Sequence, residues 1–227
     1  IHMGYTLIYS QVTEYIPYLI DGAWISLQIA VLAFSGGMFL GLILASLRTF
    51  GNKYLKNLVI IYVTFFTNTP QLVQIYFLFF ALPEVDILLS PFLAVLIGMT
   101  LNASAYMCEI QRAGFLSIRQ NEIDAAKTMG FNIIQQVTYI ILPHIIKVLF
   151  PPLSNHYILM TLGTSMAAIF GVEELTGRAF IINSETFRSV EIFSITALVY
   201  IIITYIATLL LAVTGKYFFN VKIRIIQ

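Results

Sequence analysis

The chain has 227 residues, of which 59% are hydrophobic and only 10% are charged. A soluble domain carries about 25% charged residues, so a chain this poor in charge cannot cover a water-soluble globule and is expected to lie in lipid. Twelve Lys and Arg nearly balance eleven Asp and Glu, which excludes nucleic-acid binding through bulk positive charge. The single cysteine, Cys108, excludes an intrachain disulfide and a cysteine-based metal cluster.

Five stretches that lack Asp, Glu, Lys and Arg are long enough to cross a bilayer as helices, which takes about 20 apolar residues. They cover residues 23–47, 58–82, 87–108, 148–172 and 192–215. The sequence therefore predicts an all-α membrane protein with five transmembrane helices. We expect residues 1–227 to form a single transmembrane domain.

The basic residues predict the orientation, because Lys and Arg are enriched in cytoplasmic loops. Ten of the twelve fall on one side of the predicted spans: Arg48, Lys53, Lys56, Arg112, Arg119, Lys127, Lys147, Lys216, Lys222 and Arg224. We therefore expect the amino terminus outside and the carboxyl terminus inside. Five spans without an inverted repeat are few to enclose a solute path, so a second copy or a related partner is expected.

Residues 117–143, the candidate coupling segment, are amphipathic rather than uniformly apolar, and the charge argument places them in the cytoplasm. The helix formers Asp124, Ala125 and Ala126 precede Gly130, where the helix is expected to turn before it resumes. A short helix with such a low-profile face can sit in a groove of another protein or lie on lipid headgroups. The pattern alone leaves both possibilities open.

Motifs in the candidate coupling segment and around it resemble one family. Asp124-Ala125-Ala126, Gly130 and Ile140-x-Leu142-Pro143 have the spacing of the EAA signature of binding-protein-dependent ABC importer permeases, with Asp in place of the usual Glu. Further runs resemble the polar amino acid permeases of that family: Thr69 to Gln74, Leu101 to Arg112, Pro151 to Asn155 and Thr164 to Leu175. The resemblance covers most of the chain and implies a type I ABC importer permease architecture.

The resemblance also implies partners and a location. These are a second permease subunit, identical or related, two cytoplasmic subunits that bind ATP and Mg, and a separate extracytoplasmic amino-acid-binding protein. The chain itself is expected to bind no cofactor and to be a multi-pass protein of the bacterial cytoplasmic (inner) membrane that imports a polar amino acid. Coupling to the ATPase is assigned by resemblance to Glu122, Asp124, Ala125, Ala126, Gly130 and Pro143.

Catalysis by this chain itself is not expected. The sequence contains no G-x-x-x-x-G-K-[ST] loop, so ATP hydrolysis would reside in a partner subunit. His144 and His156 lack companions at ligand spacing, and no metal site is predicted. The alternative function is a channel or a secondary carrier that works without an ATPase.

Polar side chains inside the predicted spans mark either a solute path or contacts between helices. Thr67, Gln71 and Gln74 fall at i, i+4 and i+7, so they are expected to share one face of the second helix beside Pro70. The candidate path residues are Thr67, Gln71, Gln74, Asn102, Ser104, Asn155, Thr164 and Ser165. The alternative is a set of interhelical hydrogen bonds, worth about 0.6 kcal/mol each.

Two departures from the family pattern bear on the solute. Thr67-Asn68 and Leu162-Gly163 stand where many members have Arg-Gly and Lys-Asp, so this chain lacks charges at membrane depth. The absence predicts a neutral solute on this half of the transporter, or a partner permease that holds the charged contacts. A homodimer and a heterodimer both remain open.

Three further expectations concern packing. Glu109 and Arg112, at i and i+3, are expected to pair with each other. The G-x-x-x-G of Gly37 and Gly41 predicts close helix packing. The adjacent Pro151 and Pro152 are expected to break the fourth helix.

Overall fold

The computed structural model describes residues 6–219, and every regular element in that range is helical. The α-helices are α1 (Ile16–Phe50), α2 (Lys53–Asn68), α3 (Gln71–Tyr76), α4 (Pro91–Leu116), α5 (Gln120–Thr128), α6 (Ile133–Gln136), α7 (Leu142–Gly163), α8 (Leu175–Thr186) and α9 (Ser189–Phe218). Tight 3-10 turns cover Tyr9–Gln11, Thr13–Tyr15, Leu82–Val85 and Thr164–Phe170, and wider π turns cover Phe77–Ala81 and Val137–Ile141.

Side-chain caps begin four of these helices, α2, α4, α6 and α8, at Asn52, Ser90, Asn132 and Glu174. The Asn52 side chain accepts a hydrogen bond from the Leu55 amide at 3.0 Å and begins α2. Ser90 caps α4 in the same way, and Pro91 follows it at the first helical position, where its missing N–H costs nothing. The cap at Asn52 lies before the predicted second span, whereas Ser90 lies inside the predicted third span, so α4 begins at Pro91 rather than at residue 87.

The core of the bundle is the close contact between α1 and α4. A Cβ atom at Gly37 would lie 2.7 Å from Ala103 Cβ, and one at Gly41 would lie 2.8 Å from Met107 Cβ. These distances are too short for any larger side chain, so the two glycines bring the helix backbones together. The close packing expected from the G-x-x-x-G pattern is confirmed.

The contacts between helices also give their directions. Residues 37 and 41 of α1 meet residues 103 and 107 of α4, so these two helices are parallel. Helices α4 and α7 are antiparallel. Residue 106 lies near residue 156, whereas residue 114, further along α4, lies against residue 149, which is earlier in α7. The start of α1 and the end of α4 therefore lie at opposite ends of the bundle.

Four helical segments are long and apolar enough to cross a membrane: Tyr9–Phe50, Pro91–Leu116, Ile133–Phe170 and Ser189–Phe218. The pair Lys53–Asn68 and Gln71–Val85 passes the same test together, is bent by 104° at the break between its two helices, and makes a fifth span if it crosses as one unit. The fold is thus all-helical and has the length and composition of a multi-pass membrane protein, as the sequence predicted.

The structure differs from the sequence-based spans at several boundaries. The predicted third span ends at Cys108, but α4 continues to Leu116 because ion pairs satisfy the charged residues of its last turns. The predicted fourth span begins at residue 148, whereas the continuous helical segment begins at Ile133; at 38 residues this segment is longer than the roughly 20 residues that a crossing needs, so its first turns extend beyond the bilayer. The expected break at Pro151 and Pro152 is wrong, because α7 runs through both prolines. The short helix α8 was not expected at all.

Candidate functional site

Helix α5 of the candidate coupling segment ends in a tight turn at Gly130. The Phe131 amide donates to the Ala126 carbonyl at 3.0 Å, and the Gly130 amide donates to the Lys127 carbonyl at 2.9 Å. This pair of bonds is a Schellman motif, in which the residue after the helix adopts a left-handed conformation. Gly130 has φ +79°, which a residue with a Cβ adopts only with strain, so the turn predicted at Gly130 is confirmed.

The chain then enters α6 through a reciprocal cap. Asn132 accepts from the Gln135 amide, and the Gln135 side chain accepts from the Asn132 amide, both at 2.9 Å. Directly after α6, the Leu142 amide reaches back five residues to the Val137 carbonyl. This wider turn absorbs Pro143, which has no N–H to donate, and the helix continues into α7.

The predicted coupling residues differ in how far their side chains are exposed to solvent. Asp124 and Ala125 are exposed, and the Asp124 carboxylate accepts from the Gln120 side chain at 2.9 Å. Ala126 is 0% exposed, so it faces the interior of the chain itself and offers no surface to a partner. Glu122 is half-buried and Pro143 is exposed. A partner that docks on α5 therefore meets Asp124 and Ala125 rather than Ala126.

Large apolar side chains continue this exposed surface beyond α5. Met129 is 67% exposed, and Ile133 and Ile134 are each 77% exposed. Tyr139 follows in the wide turn, also exposed. Contiguous apolar side chains without a cover mark an interaction surface with protein or lipid. We call Asp124, Ala125, Met129, Ile133 and Ile134 the coupling face.

The second candidate region is the bend between α2 and α3. Pro70 has no N–H, so the Phe66 carbonyl four residues earlier loses its helical donor. Two side-chain amides replace that donor: Gln74 Nε2 donates to Phe66 O at 3.0 Å, and Asn102 Nδ2 donates to it at 3.1 Å. Gln74 Nε2 also contacts the Thr69 carbonyl at 3.1 Å. The freed backbone is thus satisfied within the protein, as a break at membrane depth requires.

This bend corrects the expected polar stripe. Thr67 lies in α2 and Gln71 and Gln74 lie in α3, on opposite sides of the bend, so the three side chains do not share one face of a continuous helix. The Thr67 hydroxyl donates to the Val63 carbonyl at 2.7 Å. Gln74 is buried, and Asn102 Nδ2 donates to Gln74 Oε1 at 3.0 Å.

Gln71 has a different environment from Gln74. Its side chain is half-buried, and within residues 6–219 its amide has no hydrogen-bond partner. The Gln71 Oε1 atom lies 3.9 Å from the position that a Cβ at Gly163 would take. The fold therefore brings Gln71 next to the end of α7, where the tight turn Thr164–Phe170 begins.

The remaining candidate path residues are distributed over three environments. Ser104 is buried, and its hydroxyl lies 2.7 Å from the Tyr62 hydroxyl. Thr164 is buried and donates to the Thr161 carbonyl, whereas Ser165 is half-buried and Asn155 is exposed. A direct solute contact at any of these residues stays a prediction.

Ionisable side chains near the end of α1 form a cluster, of which only the Glu109–Arg112 pair was predicted. Arg112 Nη2 lies 3.2 Å from Glu109 Oε2, as expected from their i, i+3 spacing. Arg48, from the last turn of α1, pairs with the other oxygen of the same carboxylate. The parallel packing of α1 and α4 brings these ends together, and the G-x-x-x-G pattern did not identify α4 as the helix that packs there. Among residues 6–219, no group of His, Cys, Asp and Glu is arranged to hold a metal ion.

Comparison with known proteins gives consistent matches over nearly the whole chain. The glutamine transport system permease protein GlnP of Escherichia coli is 35% identical over 205 residues, which cover 89% of this chain and 94% of that protein. The octopine transport system permease protein OccM of Rhizobium radiobacter is 34% identical over 197 residues, covering 83% of this chain and 80% of that protein.

Solved structures agree with these relatives. An amino acid ABC transporter solved with histidines has a TM-score of 0.86 and 29% identity, and the match covers 93% of this chain and 99% of that one. An inward-facing methionine ABC transporter, MetNI, has a TM-score of 0.69 at 18% identity, covering 88% and 95% of the two chains, and shows the shared fold alone.

A family model matches residues 37–218, which include the candidate coupling segment and every candidate membrane span except the part of Tyr9–Phe50 before residue 37. The model describes the inner membrane component of binding-protein-dependent transport systems. Membership implies a multi-pass protein of the inner membrane that works with an ATPase, a substrate-binding protein and a second permease subunit. This chain belongs to the family of inner membrane components of binding-protein-dependent transport systems.

Proposed function

We propose that this chain is the membrane subunit of an importer that moves a polar amino acid inward, powered by a separate ATPase. The names of the relatives support the substrate class, since the Escherichia coli protein belongs to a glutamine system and the Rhizobium radiobacter protein to an octopine system. ATP and Mg are bound by the partner ATPase. The particular amino acid is selected by a separate extracytoplasmic binding protein.

The coupling face carries this proposal. Asp124 and Ala125 are exposed, and the neighbouring Met129, Ile133 and Ile134 leave apolar surface uncovered. A protein groove covers such a surface and matches its polar edge. Lipid headgroups are the alternative cover, and co-purification with the ATPase distinguishes the two.

The translocation path is proposed to pass Gln71 and to be completed by a second permease subunit. A zwitterion that leaves water must exchange hydration for protein hydrogen bonds. Gln71 has an uncommitted amide in the described structure, while Gln74 and Asn102 are engaged in satisfying the backbone at the bend. We therefore place Gln71 at the solute, with Asn155 and Ser165 as further candidates on the surface of α7 and the turn after it.

The proposed orientation has α5 in the cytoplasm and α8 outside. Lys53 and Gln120 then face the cytoplasm, and Asp86 and Glu185 face outside; Lys222 and Arg224 lie outside the described residues. Single cysteines at these positions test this arrangement, with Cys108 replaced by Ala as background. An impermeant maleimide should label positions 86 and 185 in intact cells. Equal labelling at position 120 contradicts the orientation and the coupling assignment together.

The function is tested by purification of the chain through an affinity tag in mild detergent. An importer subunit should bring down a cytoplasmic ATPase in a fixed ratio, and the complex should hydrolyse ATP. A channel or secondary carrier predicts a purified chain without an ATPase that still supports solute flux. Flux without an associated ATPase would overturn the proposal in favour of that alternative.

A further inference from the structure

A buried carboxylate joins three helices at the end of the bundle where α1 begins. Glu174 is 0% exposed and caps the start of α8, where its Oε1 accepts from the Gly177 amide at 2.9 Å. Its Oε2 accepts from Ser26 of α1 at 2.9 Å and from Tyr200 of α9 at 3.0 Å. We call Glu174, Ser26 and Tyr200 the carboxylate node.

The hydrogen bonds to the Glu174 carboxylate all come from uncharged donors. Among the described residues, no Lys or Arg pairs with Glu174. A buried carboxylate without a cation is costly, and hydrogen bonds to a charged acceptor are about twice as strong as neutral ones. Such an arrangement fixes the positions of its donors more firmly than a neutral side chain of the same shape.

The node lies directly after the polar turn at the end of α7. That turn, Thr164–Phe170, contains Thr164 and Ser165 and ends at Gly171, three residues before Glu174. The Val172 amide donates back to the Ala167 carbonyl at 3.2 Å. The turn is thus joined to α7 at one end and, through residues 171–173, to Glu174 of the carboxylate node at the other.

We propose that Glu174 is a positioning residue for translocation, whose ionised carboxylate holds α1, α8 and α9 together and thereby sets the position of the turn Thr164–Phe170. This inference rests on the proposed function, because it concerns transport through the same subunit. It assigns no solute contact to Glu174, which is fully buried.

The two hydroxyls of the node have other acceptors within reach. Ser26 Oγ lies 3.3 Å from the Gly22 carbonyl, and the Tyr200 hydroxyl lies 2.9 Å from Thr176 Oγ1. When the carboxyl at position 174 is neutral, both hydroxyls can turn to these acceptors and receive a hydrogen bond in place of donating one. Glu174→Gln therefore fits the same site and imitates protonated Glu174.

Burial raises the pKa of the Glu174 carboxyl above its ordinary value, and hydrogen bonds from the Thr176 and Gly177 amides and from Ser26 and Tyr200 offset part of the rise. The raised pKa means that Glu174 binds its proton at a higher pH than an exposed glutamate does. On acidification, the wild type loses the ionised node first and then behaves like Glu174→Gln.

Other charged and titratable groups lie at this end of the bundle. The elements packed against the node carry Tyr18 and Asp21 on α1, Glu173 before α8, Arg178 on α8 and Glu191 on α9. Arg178 donates to the Tyr18 carbonyl at 2.8 Å and lies 3.8 Å from the Asp21 carboxylate. These groups are the same in the wild type and in Glu174→Gln, so the ratio of the two uptake rates isolates the effect of position 174.

The test is ATP-driven uptake in proteoliposomes that contain the full complex and its binding protein, measured per assembled complex from acid to alkaline pH. We expect the wild type to exceed Glu174→Gln about tenfold at neutral and alkaline pH, which corresponds to the loss of one hydrogen bond to a charged group. The ratio should fall toward one as the pH drops through the pKa of Glu174. Glu185→Gln, an exposed glutamate on the same helix, should keep a ratio near one throughout.

A ratio that does not change with pH, or a variant as active as the wild type, overturns the role of Glu174. If Glu174→Gln fails to assemble, Tyr200→Phe is measured instead, since it removes one donor without changing the ring; the same fall in ratio is expected and a constant ratio again overturns the inference. A wild-type complex that takes up solute without ATP contradicts the proposed function instead, so the two failures are distinguishable.

Discussion

The α1–α4 pair and the coupling face differ in what covers their side chains. In α4, 56% of the most apolar stretch is buried inside the chain, against small residues such as Gly37 and Gly41. In the coupling face, Met129, Ile133 and Ile134 are all more than half exposed. The first region is completed by the chain itself, whereas the second leaves apolar area that only another molecule can cover.

This contrast separates two kinds of substitution. Changes at the α1–α4 contact should destroy the folded subunit, because nothing outside the chain can compensate for them. Changes in the coupling face should leave the subunit folded and weaken only its association with the ATPase. Residue pairs that are adjacent in sequence but lie on the two sides of this division give the sharpest tests.

The largest effect is expected for Gly41→Leu. A Cβ at position 41 would lie 2.8 Å from Met107 Cβ and 3.1 Å from the Cys108 backbone nitrogen, so α1 and α4 must separate. Overpacking of this kind costs about 1–3 kcal/mol or more. We expect little monodisperse protein by size-exclusion chromatography in detergent, and a normal yield for the exposed neighbour Leu42→Ala. A normal yield of Gly41→Leu would contradict the assigned contact.

The next largest effect distinguishes two adjacent alanines, Ala125 and Ala126, for which substitution by Arg should have different consequences. Ala126 is fully buried, so Ala126→Arg should lower the amount of folded subunit. Ala125 is exposed, so Ala125→Arg should fold normally and lose its ATPase by obstruction of the coupling face. Yield and ATPase association are measured for both in the same preparation. Retained association in Ala125→Arg would show that the exposed side of α5 is not the docking side.

The smallest effect distinguishes two glutamines near Pro70, one of which should affect stability and the other uptake. Gln74→Leu removes the side-chain donor to the Thr69 carbonyl, one of the two side-chain donors to the Phe66 carbonyl, and the acceptor of Asn102. It should lower the free energy of unfolding by about 1–3 kcal/mol, the usual cost of unsatisfied buried groups. Gln71→Leu breaks no hydrogen bond among the described residues, so it should keep the stability of the wild type and lower uptake per assembled complex.

The lipid-facing variant Leu210→Ala is the control for both glutamines, since its side chain is exposed on α9. Thermal unfolding of the purified complex and uptake per complex are compared across the three variants. Unchanged uptake in Gln71→Leu would remove Gln71 from the proposed path. Unchanged stability in Gln74→Leu would contradict its role in satisfying the bend.

Much of the fold follows from local sequence. Apolar length predicts the membrane crossings, and the glycine after Asp124-Ala125-Ala126 predicts the turn that Gly130 makes. The direction in which Ala126 faces is not predictable in this way, because a short helix with small residues on two sides has no strong apolar stripe. Tertiary packing decides which alanine is buried.

The prolines show the same limit. Pro70 accompanies a 104° bend, while Pro151 and Pro152 lie in the uninterrupted helix α7. The bend is stabilised by the Gln74 and Asn102 amides, which replace the missing donor to Phe66, and Asn102 comes from another helix. The carboxylate node was missed for a similar reason: Ser26, Glu174 and Tyr200 are far apart in sequence and meet only in the folded bundle.

The central claim is that this subunit transports only when a separate ATPase is docked on the coupling face. The most direct measurement is accumulation of a mixture of radiolabelled polar amino acids by proteoliposomes that hold the purified complex and its binding protein, with and without ATP. Our account predicts accumulation against a gradient that requires ATP and disappears in Ala125→Arg. Equal uptake without ATP, or undiminished ATP-driven uptake in Ala125→Arg, would contradict it.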